Sequence, residues 1–486
     1  MRLQILWIAF VMLVMGFVFW RISLAWRVNR ETAAIRRAGQ PTTWPELDKW
    51  YKAVPDSENA ALVLTQTFAL RCTFPDQRSN QLANVYIPSC GPRLPPDMKQ
   101  LLVDYLDLNR PALARMREAL KLSKCRFPIT LSPDSDQSHL AKLKGIVLDL
   151  RYEAILAMES GQTGEATAAI EDILKLAKTL DEEPPMISQL VRNAIIEIAA
   201  RTVERCLNTA EFKAKELKIL LAALTAAENT APLVRGLVGE CVGDTAIFHC
   251  EFGGLKKSER VAQQGIRLSG YFERSLPHYL QIMASNIVLA SKGPPRWLAA
   301  AKQSADLHEE FVQRNDFFDP LSSAGRYFYR ATAGFACIRM ATAALAIEQL
   351  RTANEPPPEK LDELKPKYFA AVPADPFDGV PLRYRRLQQG YLLYSTGGDL
   401  HDDGGRETPR SYTNAGIYPS PMASTDTVRR RYGFQSNGPP PEVAPASWRS
   451  SKTTNTVALR LNSGSNSLNT NAPARVTYDL TFTVER

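Results

Sequence analysis

Met186-Ile-Ser-Gln-Leu-Val-Arg-Asn-Ala-Ile-Ile-Glu-Ile-Ala-Ala-Arg-Thr-Val203 is the stretch that decides the fold class of this chain. Its apolar side chains recur every three or four residues, which is the spacing of one face of an α-helix. A continuous apolar stripe of this length has to be buried against other elements. The stretch therefore predicts a long helix packed inside a helical body.

The segments on both sides of this stretch are also predicted to be helical. Residues 152–180 have the pattern of a helical hairpin with its turn at 160–164, and residues 211–229 and 233–249 add two further helices. Residues 326–353 form the last long helical pattern. We therefore expect a mainly α protein whose body is a helical bundle or an irregular stack of helix hairpins.

The N-terminal segment 3–20 has no charged residue and only one strongly polar one, Gln4. At about 1.5 Å per residue a helix of this length spans about 27 Å, close to the ~30 Å of a bilayer's hydrocarbon core. Trp20 and Trp26 lie where aromatic side chains favour the membrane interface. We predict that residues 1–27 are a retained, single-pass transmembrane anchor.

A cleaved signal peptide is the alternative for this segment. Ser23-Leu24-Ala25 has the small residues of a cleavage site. The apolar run is longer than the roughly 7 to 15 residues that are usual in signal peptides. Because Trp26 would also follow the cut, we favour the retained anchor.

The arginines around the anchor bear on its orientation in the membrane. Arg21, Arg27, Arg30, Arg36 and Arg37 follow the apolar run, and the positive-inside rule on its own would keep the body in the cytoplasm. A short N-terminal span with almost no chain before it is, however, typical of an export signal. We expect the body to lie on the extracytoplasmic side of the membrane.

The net charge of +8 is unevenly distributed along the chain. Residues 1–40 contain six arginines and one glutamate, so most of the basic excess lies beside the apolar segment, where anionic lipid headgroups attract it. Downstream there is no basic stripe interleaved with aromatic residues and no nucleic-acid-binding motif. We therefore expect membrane lipid, and not nucleic acid, as a partner.

The C-terminal part of the chain contains a proline corner, a short hairpin strand and an acidic loop. They are Val372-Pro-Ala-Asp-Pro-Phe-Asp-Gly379, Gly390-Tyr-Leu-Leu-Tyr-Ser395 and Gly397-Gly-Asp-Leu-His-Asp-Asp-Gly-Gly405. Pro373 and Pro376 restrict the backbone around Asp375, which favours a rigid corner. Residues 337–407, which include the end of the preceding helix, resemble the C-terminal half of the major pseudopilins of type II secretion systems.

This resemblance implies a bacterial inner membrane with the body in the periplasm. It also implies a small antiparallel sheet and a calcium ion held by the acidic loop. The oxygen ligands at the matching positions are Ser395, Asp399, Asp402 and Asp403. Considered without the resemblance, the loop is more typical of a polar, solvated turn that closes the hairpin. The likeness does not extend to the N-terminus, where Arg21 stands in place of the pilin glutamate, so we do not expect processing as a pilin subunit.

The chain is predicted to divide into six segments. They are a transmembrane anchor (1–27), juxtamembrane helices with a loop (28–97), a helical body (98–325), a pseudopilin-like helix with a small sheet (326–407), a flexible linker (408–454) and C-terminal β-strands (455–486). Within the last segment, 457–461 and 476–484 alternate with the period of half-buried strands. These two strands either pair with each other or extend the preceding sheet.

Five cysteine, histidine and glutamate positions are the other candidates for chemistry or covalent linkage. Cys72 and Cys90 would close a disulfide loop if the body is exported. Glu240, Cys241 and His249 are the most enzyme-like group, but their spacing matches no common metal-site pattern, and helix packing explains them equally well.

No group of residues in the sequence has the spacing of a catalytic site. We therefore expect a non-enzymatic, membrane-anchored envelope protein that acts as a scaffold through contact with a protein partner. The alternative is a membrane-anchored hydrolase whose site lies in the helical body.

Overall fold

The structure is a computed structural model, and it describes residues 2–132, 135–249, 264–271, 273–314, 324–406 and 479–485. This described part is mainly α-helical, with a small antiparallel sheet near the C-terminus. The predicted fold class is confirmed at this level.

Fourteen α-helices occur in the described residues. They are α1 (Arg2–Arg37), α2 (Trp44–Trp50), α3 (Ala60–Leu70), α4 (Arg78–Ala83), α5 (Pro96–Ala119), α6 (Ser138–Glu159), α7 (Thr163–Lys178), α8 (Met186–Leu207), α9 (Ala214–Ala227), α10 (Ala231–Phe248), α11 (264–269), α12 (Leu276–Ser291), α13 (Arg296–Arg314) and α14 (Ala324–Thr352).

Helix α8 lies at the centre of the helical body. It packs against α6, α7, α10, α14 and the C-terminal strand, and it is therefore buried on nearly all sides. The apolar stripe read from the sequence describes only part of this burial. Ile187, which belongs to the stripe, is 45% exposed, whereas the polar residues Arg192, Glu204 and Arg205 are buried. The stripe thus predicts the helix correctly but not which of its residues face solvent.

Within the described part of the chain, three helical stretches are long and apolar enough to cross a membrane, by length and composition: Leu3–Arg37, Ala214–Phe248 and Gly325–Thr352. The third is largely buried by protein, and the second consists of α9 and α10, which are separated by a break at 228–230. The apolar window of the first is wholly exposed. An N-terminal helix able to span a membrane is therefore present, as the sequence predicts.

The second half of α1 is part of the protein core. Leu24, Val28 and Ile35 are buried in a cluster that includes side chains of α12, and the helix is continuous from the exposed span into this cluster. The predicted boundary between the anchor (1–27) and the juxtamembrane segment (28–97) falls inside this helix. In the structure no break in α1 occurs until after Arg37.

The sheet has three antiparallel strands in the order β1-β2-β3: β1 (Arg383–Arg386), β2 (Tyr391–Ser395) and β3 (Leu480–Val484). Tyr384 pairs with Leu393, which pairs in turn with Phe482. Leu393 and Phe482 are buried, and α14 packs against both β2 and β3.

The C-terminal strand thus extends the preceding sheet, which is one of the two arrangements that the sequence leaves open. The other predicted strand, 457–461, and the predicted linker, 408–454, lie outside the described residues.

Candidate functional site

The enzyme-like residues Glu240, Cys241 and His249 do not converge on one point. The Nδ1 atom of His249 lies 3.2 Å from Glu273 Oε1, and the other oxygen of Glu273 accepts from Arg21 Nη1 at 2.6 Å. Glu240 instead accepts a hydrogen bond of 2.7 Å from the hydroxyl of Tyr327. The histidine and the glutamate are therefore engaged by different partners.

Burial also makes Cys241 a poor nucleophile. Its side chain is buried in the core cluster around α10 and α12, and this burial raises the pKa of the thiol to about 12. Because the thiolate is the reactive form, the group is inert near neutral pH. Burial likewise raises the pKa of Glu240. These two residues behave as core groups and not as a nucleophile with its base.

A cavity of about 30 Å³ lies between α8, α10, α13 and α14. Met186, Leu233, Trp297 and Phe335 supply much of its wall, and Gln189 also lines it. The side-chain oxygen of Gln189 is buried without a hydrogen-bond partner. Since one water needs roughly 10–15 Å³ of such space, the cavity has room to hydrate this oxygen. Typical small-molecule pockets are roughly ten times larger, so the cavity is too small for such a substrate.

The proline corner is organised around the buried carboxylate of Asp375. One oxygen accepts from Phe377 N at 3.0 Å and from Ser395 Oγ at 2.8 Å, and the other accepts from Thr396 N at 3.0 Å. Arg383 Nη1 donates to that second oxygen at 2.8 Å. A buried charge is stable when it is paired and hydrogen-bonded in this way. Asp375 therefore joins the corner to both strands of the hairpin.

The four residues proposed as calcium ligands occupy two different environments. Ser395 is buried and donates to Asp375, whereas the loop carboxylates accept from their own backbone: Asp399 from His401 N at 3.1 Å and Asp402 from Gly404 N at 2.9 Å. The side chain of Asp403 is 3.9 Å from His401 Nδ1. Within the described residues no group of three or more His, Cys, Asp or Glu side chains could hold a metal ion. Calcium binding at this loop stays a prediction.

Asp479 is a buried acidic residue that the sequence analysis does not single out. Its Oδ2 accepts from Gly405 N at 2.8 Å, which ties the acidic loop to the residue that precedes β3. Burial raises the pKa of its carboxyl, and the nearby negative charges of Asp402 and Asp403 add to the effect. No sequence signal could identify this contact, because 73 residues separate Gly405 from Asp479.

Cys72 and Cys90 are not bridged to each other in the structure, and the disulfide considered from the sequence stays a prediction. Cys72 is exposed and its backbone N–H donates to Asn109 on α5. Cys90 Sγ lies 3.2 Å from the carbonyl oxygen of Thr483 on β3. Each cysteine thus contacts a different part of the body.

Backbone N–H and C=O groups along the outer edge of β3 form hydrogen bonds with side chains at the C-terminal end of α8. Arg201 Nη1 donates to the Thr481 carbonyl at 2.6 Å, and Glu204 Oε1 accepts from Thr483 N at 2.8 Å. Asn208 donates to the Thr483 carbonyl at 2.7 Å and accepts from Glu485 N at 2.7 Å. An exposed strand edge would present unpaired N–H and C=O groups. Arg201 and Glu204 on α8, together with its C-cap residue Asn208, take the place of a fourth strand.

Replacing Gly390 by alanine should loosen β3 from the sheet. Gly390 has φ 82°, and a Cβ there would overlap the carbonyl oxygen of Val484. The substitution combines left-handed strain with a backbone clash, and we expect a loss of about 2–3 kcal/mol in the free energy of unfolding. Hydrogen exchange at residues 481–484 should accelerate more than in the helical body.

The control for this prediction is Gly161→Ala in the turn between α6 and α7. Gly161 has a similar φ of 75°, but nothing lies within 4 Å of the added Cβ. Only the left-handed strain of about 1–2 kcal/mol should appear there, without faster exchange in β3. Equal exchange rates in β3 for the two variants would contradict the packing of Val484 on Gly390.

The chain was compared with protein-family models, curated proteins and solved structures. None of them matches. The pseudopilin resemblance therefore rests on residues 337–407 themselves.

Proposed function

We propose that this chain is a non-enzymatic, membrane-anchored envelope scaffold that holds a pseudopilin-like module for contact with a protein partner. The anchor lies in a bacterial inner membrane and the body is periplasmic. The observation that carries this proposal is the continuity of α1, whose exposed apolar half and buried second half form one helix.

A continuous helix transmits the orientation of the membrane span to the body. Leu24 and Val28 are buried in the core cluster, and Arg21 forms an ion pair with Glu273. The body is consequently held by packing at the point where it meets the span, and not by a flexible linker. Such an attachment suits a protein that presents a surface in a fixed orientation relative to its membrane span.

The C-terminal module offers exposed apolar side chains for a partner. Val380 at the proline corner is 51% exposed, and Leu400 in the acidic loop is 50% exposed. The module beneath them is held by the Asp375 network and by the contacts between α8 and β3. A rigid platform with exposed apolar side chains favours protein contact, because little ordering entropy is lost on binding.

The hydrolase alternative has less support from the described residues. His249, Cys241 and Glu240 have separate partners, and Cys241 is held as a protonated thiol. The cavity lined by Gln189 has room for water but not for a substrate.

Charged residues in the middle of the span should release the protein from the membrane. Val11 and Val14 are exposed and lie near the centre of the apolar segment. In the variant Val11→Arg, Val14→Arg each arginine costs roughly 2.5–3.5 kcal/mol of insertion free energy. We expect the protein to move from the carbonate-resistant membrane fraction to the soluble fraction.

The matched control is Val288→Arg, which changes a 54% exposed valine on α12. It should stay in the membrane fraction, and retention of the double variant there would overturn the proposed anchor. A phosphatase reporter that is active only in the periplasm, fused after Arg406, tests the orientation. An inactive but expressed fusion would place the body in the cytoplasm and overturn the envelope role.

A further inference from the structure

A short segment of the body lies beside the point where α1 leaves its exposed apolar span. It comprises residues 264–271 and includes α11. The backbone of Gly270 packs so closely on α1 that a Cβ there would overlap Arg21 Nη1 and lie 3.2 Å from Trp20 Cη2. Arg21 also pairs with Glu273 at 2.6 Å. The segment is therefore held beside Trp20 and Arg21, at the end of the exposed apolar span.

This segment exposes an unusual group of side chains. Leu268 is 71% exposed, Ile266 42% and Tyr271 37%, all within six residues. Arg267 is exposed among them, and the guanidinium of Arg274 lies over the Tyr271 ring at 4.5 Å from its centroid. Apolar and aromatic side chains mixed with arginines are typical of segments that lie in a membrane interface.

The length of the apolar span determines where the bilayer surface lies. Residues 3–20 cover about 27 Å as a helix, which nearly fills a hydrocarbon core of about 30 Å. Trp20 and Arg21 then lie at the boundary between acyl chains and headgroups, where tryptophan and arginine are favoured. Because Gly270 contacts both residues, the exposed side chains around it meet the same boundary.

We propose that residues 264–271, with Arg274, are a second membrane contact. Ile266, Leu268 and Tyr271 insert into the headgroup region of the bilayer that α1 spans, and the two arginines face anionic lipid headgroups. This inference rests on the proposed membrane anchoring by α1. One helix leaves the body free to tilt about the membrane surface, whereas a second contact restricts that tilt and sets the height of the C-terminal module.

The test measures how deep individual sites lie in the bilayer. Three full-length variants are made, and each carries one nitroxide label. The labelled substitutions are Leu268→Cys, Met12→Cys inside the span and Leu108→Cys as the control. Leu108 is 41% exposed on α5, which packs against α3, α4 and α6. The background carries the substitutions Cys72→Ser, Cys90→Ser, Cys125→Ser and Cys250→Ser. Each protein is reconstituted into vesicles of phosphatidylcholine and phosphatidylglycerol.

For each label, the collision rate of the nitroxide with oxygen, which concentrates in the bilayer, is compared with its collision rate with a water-soluble nickel chelate. We expect the ratio of oxygen to nickel accessibility at site 268 to exceed that at site 108 at least threefold, and to lie below that at site 12. Equal ratios at 268 and 108, with site 12 in the bilayer, would overturn the second contact alone. Low accessibility to both reagents at 268 would mean that protein covers it and would equally overturn the lipid assignment. A water-like ratio at site 12 would overturn the anchor and this inference together.

Discussion

Arg205→Met should lower the free energy of unfolding by about 3–5 kcal/mol, the largest effect that we expect from a single substitution in the body. The side chains of Arg205 and Glu159 are 1% and 3% exposed, with Nη2 and Oε1 3.4 Å apart. Removing the arginine leaves a buried carboxylate without its counter-charge. Breaking one partner of a buried pair is costly because the other charge has lost its water as well.

Arg205 also forms hydrogen bonds to the loop between α4 and α5. Its guanidinium donates to the carbonyl oxygens of Gly91 and Pro92 at 3.0 and 2.7 Å, while Glu159 accepts from Leu94 N at 2.7 Å. The Arg205–Glu159 ion pair thus helps to fasten the loop between α4 and α5 to α8 and α6. We expect faster hydrogen exchange at Leu94 in the variant.

Chemical unfolding of the detergent-solubilised protein, followed by circular dichroism, measures the effect. Arg110→Met is the matched control, since Arg110 pairs with Asp107 at 2.5 Å on the surface, with side chains 78% and 56% exposed. Exposed pairs contribute about 0–1 kcal/mol. The double variant Arg205→Met, Glu159→Gln should recover part of the loss, because no buried charge remains. Similar losses for Arg205→Met and Arg110→Met would show that the buried pair is not a structural requirement.

Gly239→Ala should destabilise the protein by about 1–3 kcal/mol, although alanine is the better helix former. Gly239 lies inside α10, where that helix crosses the segment before α8. A Cβ at this position would overlap the carbonyl oxygen of Pro184 and lie 2.7 Å from its carbonyl carbon. The neighbouring atoms belong to the backbone and cannot turn aside, so the two elements would have to separate.

Gly243→Ala, one helical turn later in α10, should have the opposite effect. The nearest atom to the added Cβ is Trp44 Cη2 at 3.6 Å, which is ordinary van der Waals contact. Without a clash, the gain in helix propensity of about 0.5–1 kcal/mol should appear as added stability. Thermal unfolding of both variants under one condition compares the two sites. A loss at residue 243 equal to that at residue 239 would contradict the close crossing at Pro184.

The two glycines illustrate what local sequence can and cannot predict. Both occur in the apolar helical pattern 233–249, and the helix itself was predicted correctly. Whether glycine is required at a position depends on how closely the backbone of another part of the chain approaches it. That information enters only when α10 packs beside Pro184.

The same distinction separates Arg205 from Arg110. Both lie in long helices, and neither has a sequence environment that predicts burial. Helix α8 is surrounded by other elements, so even its polar positions are inside and need partners. On α5, Arg110 faces solvent and its ion pair is exposed.

The sequence by itself determined the properties that depend on local composition and spacing. The apolar run of α1, the helical periodicity of α8 and the hairpin of β1 and β2 are such properties, since each arises within a few consecutive turns or one short pairing. Tertiary structure alone decided the partners of distant segments: α12 for the second half of α1, α8 for the edge of β3, and Trp20 for Gly270. The physical reason is that these contacts depend on close packing between residues far apart in the chain, which no local pattern records.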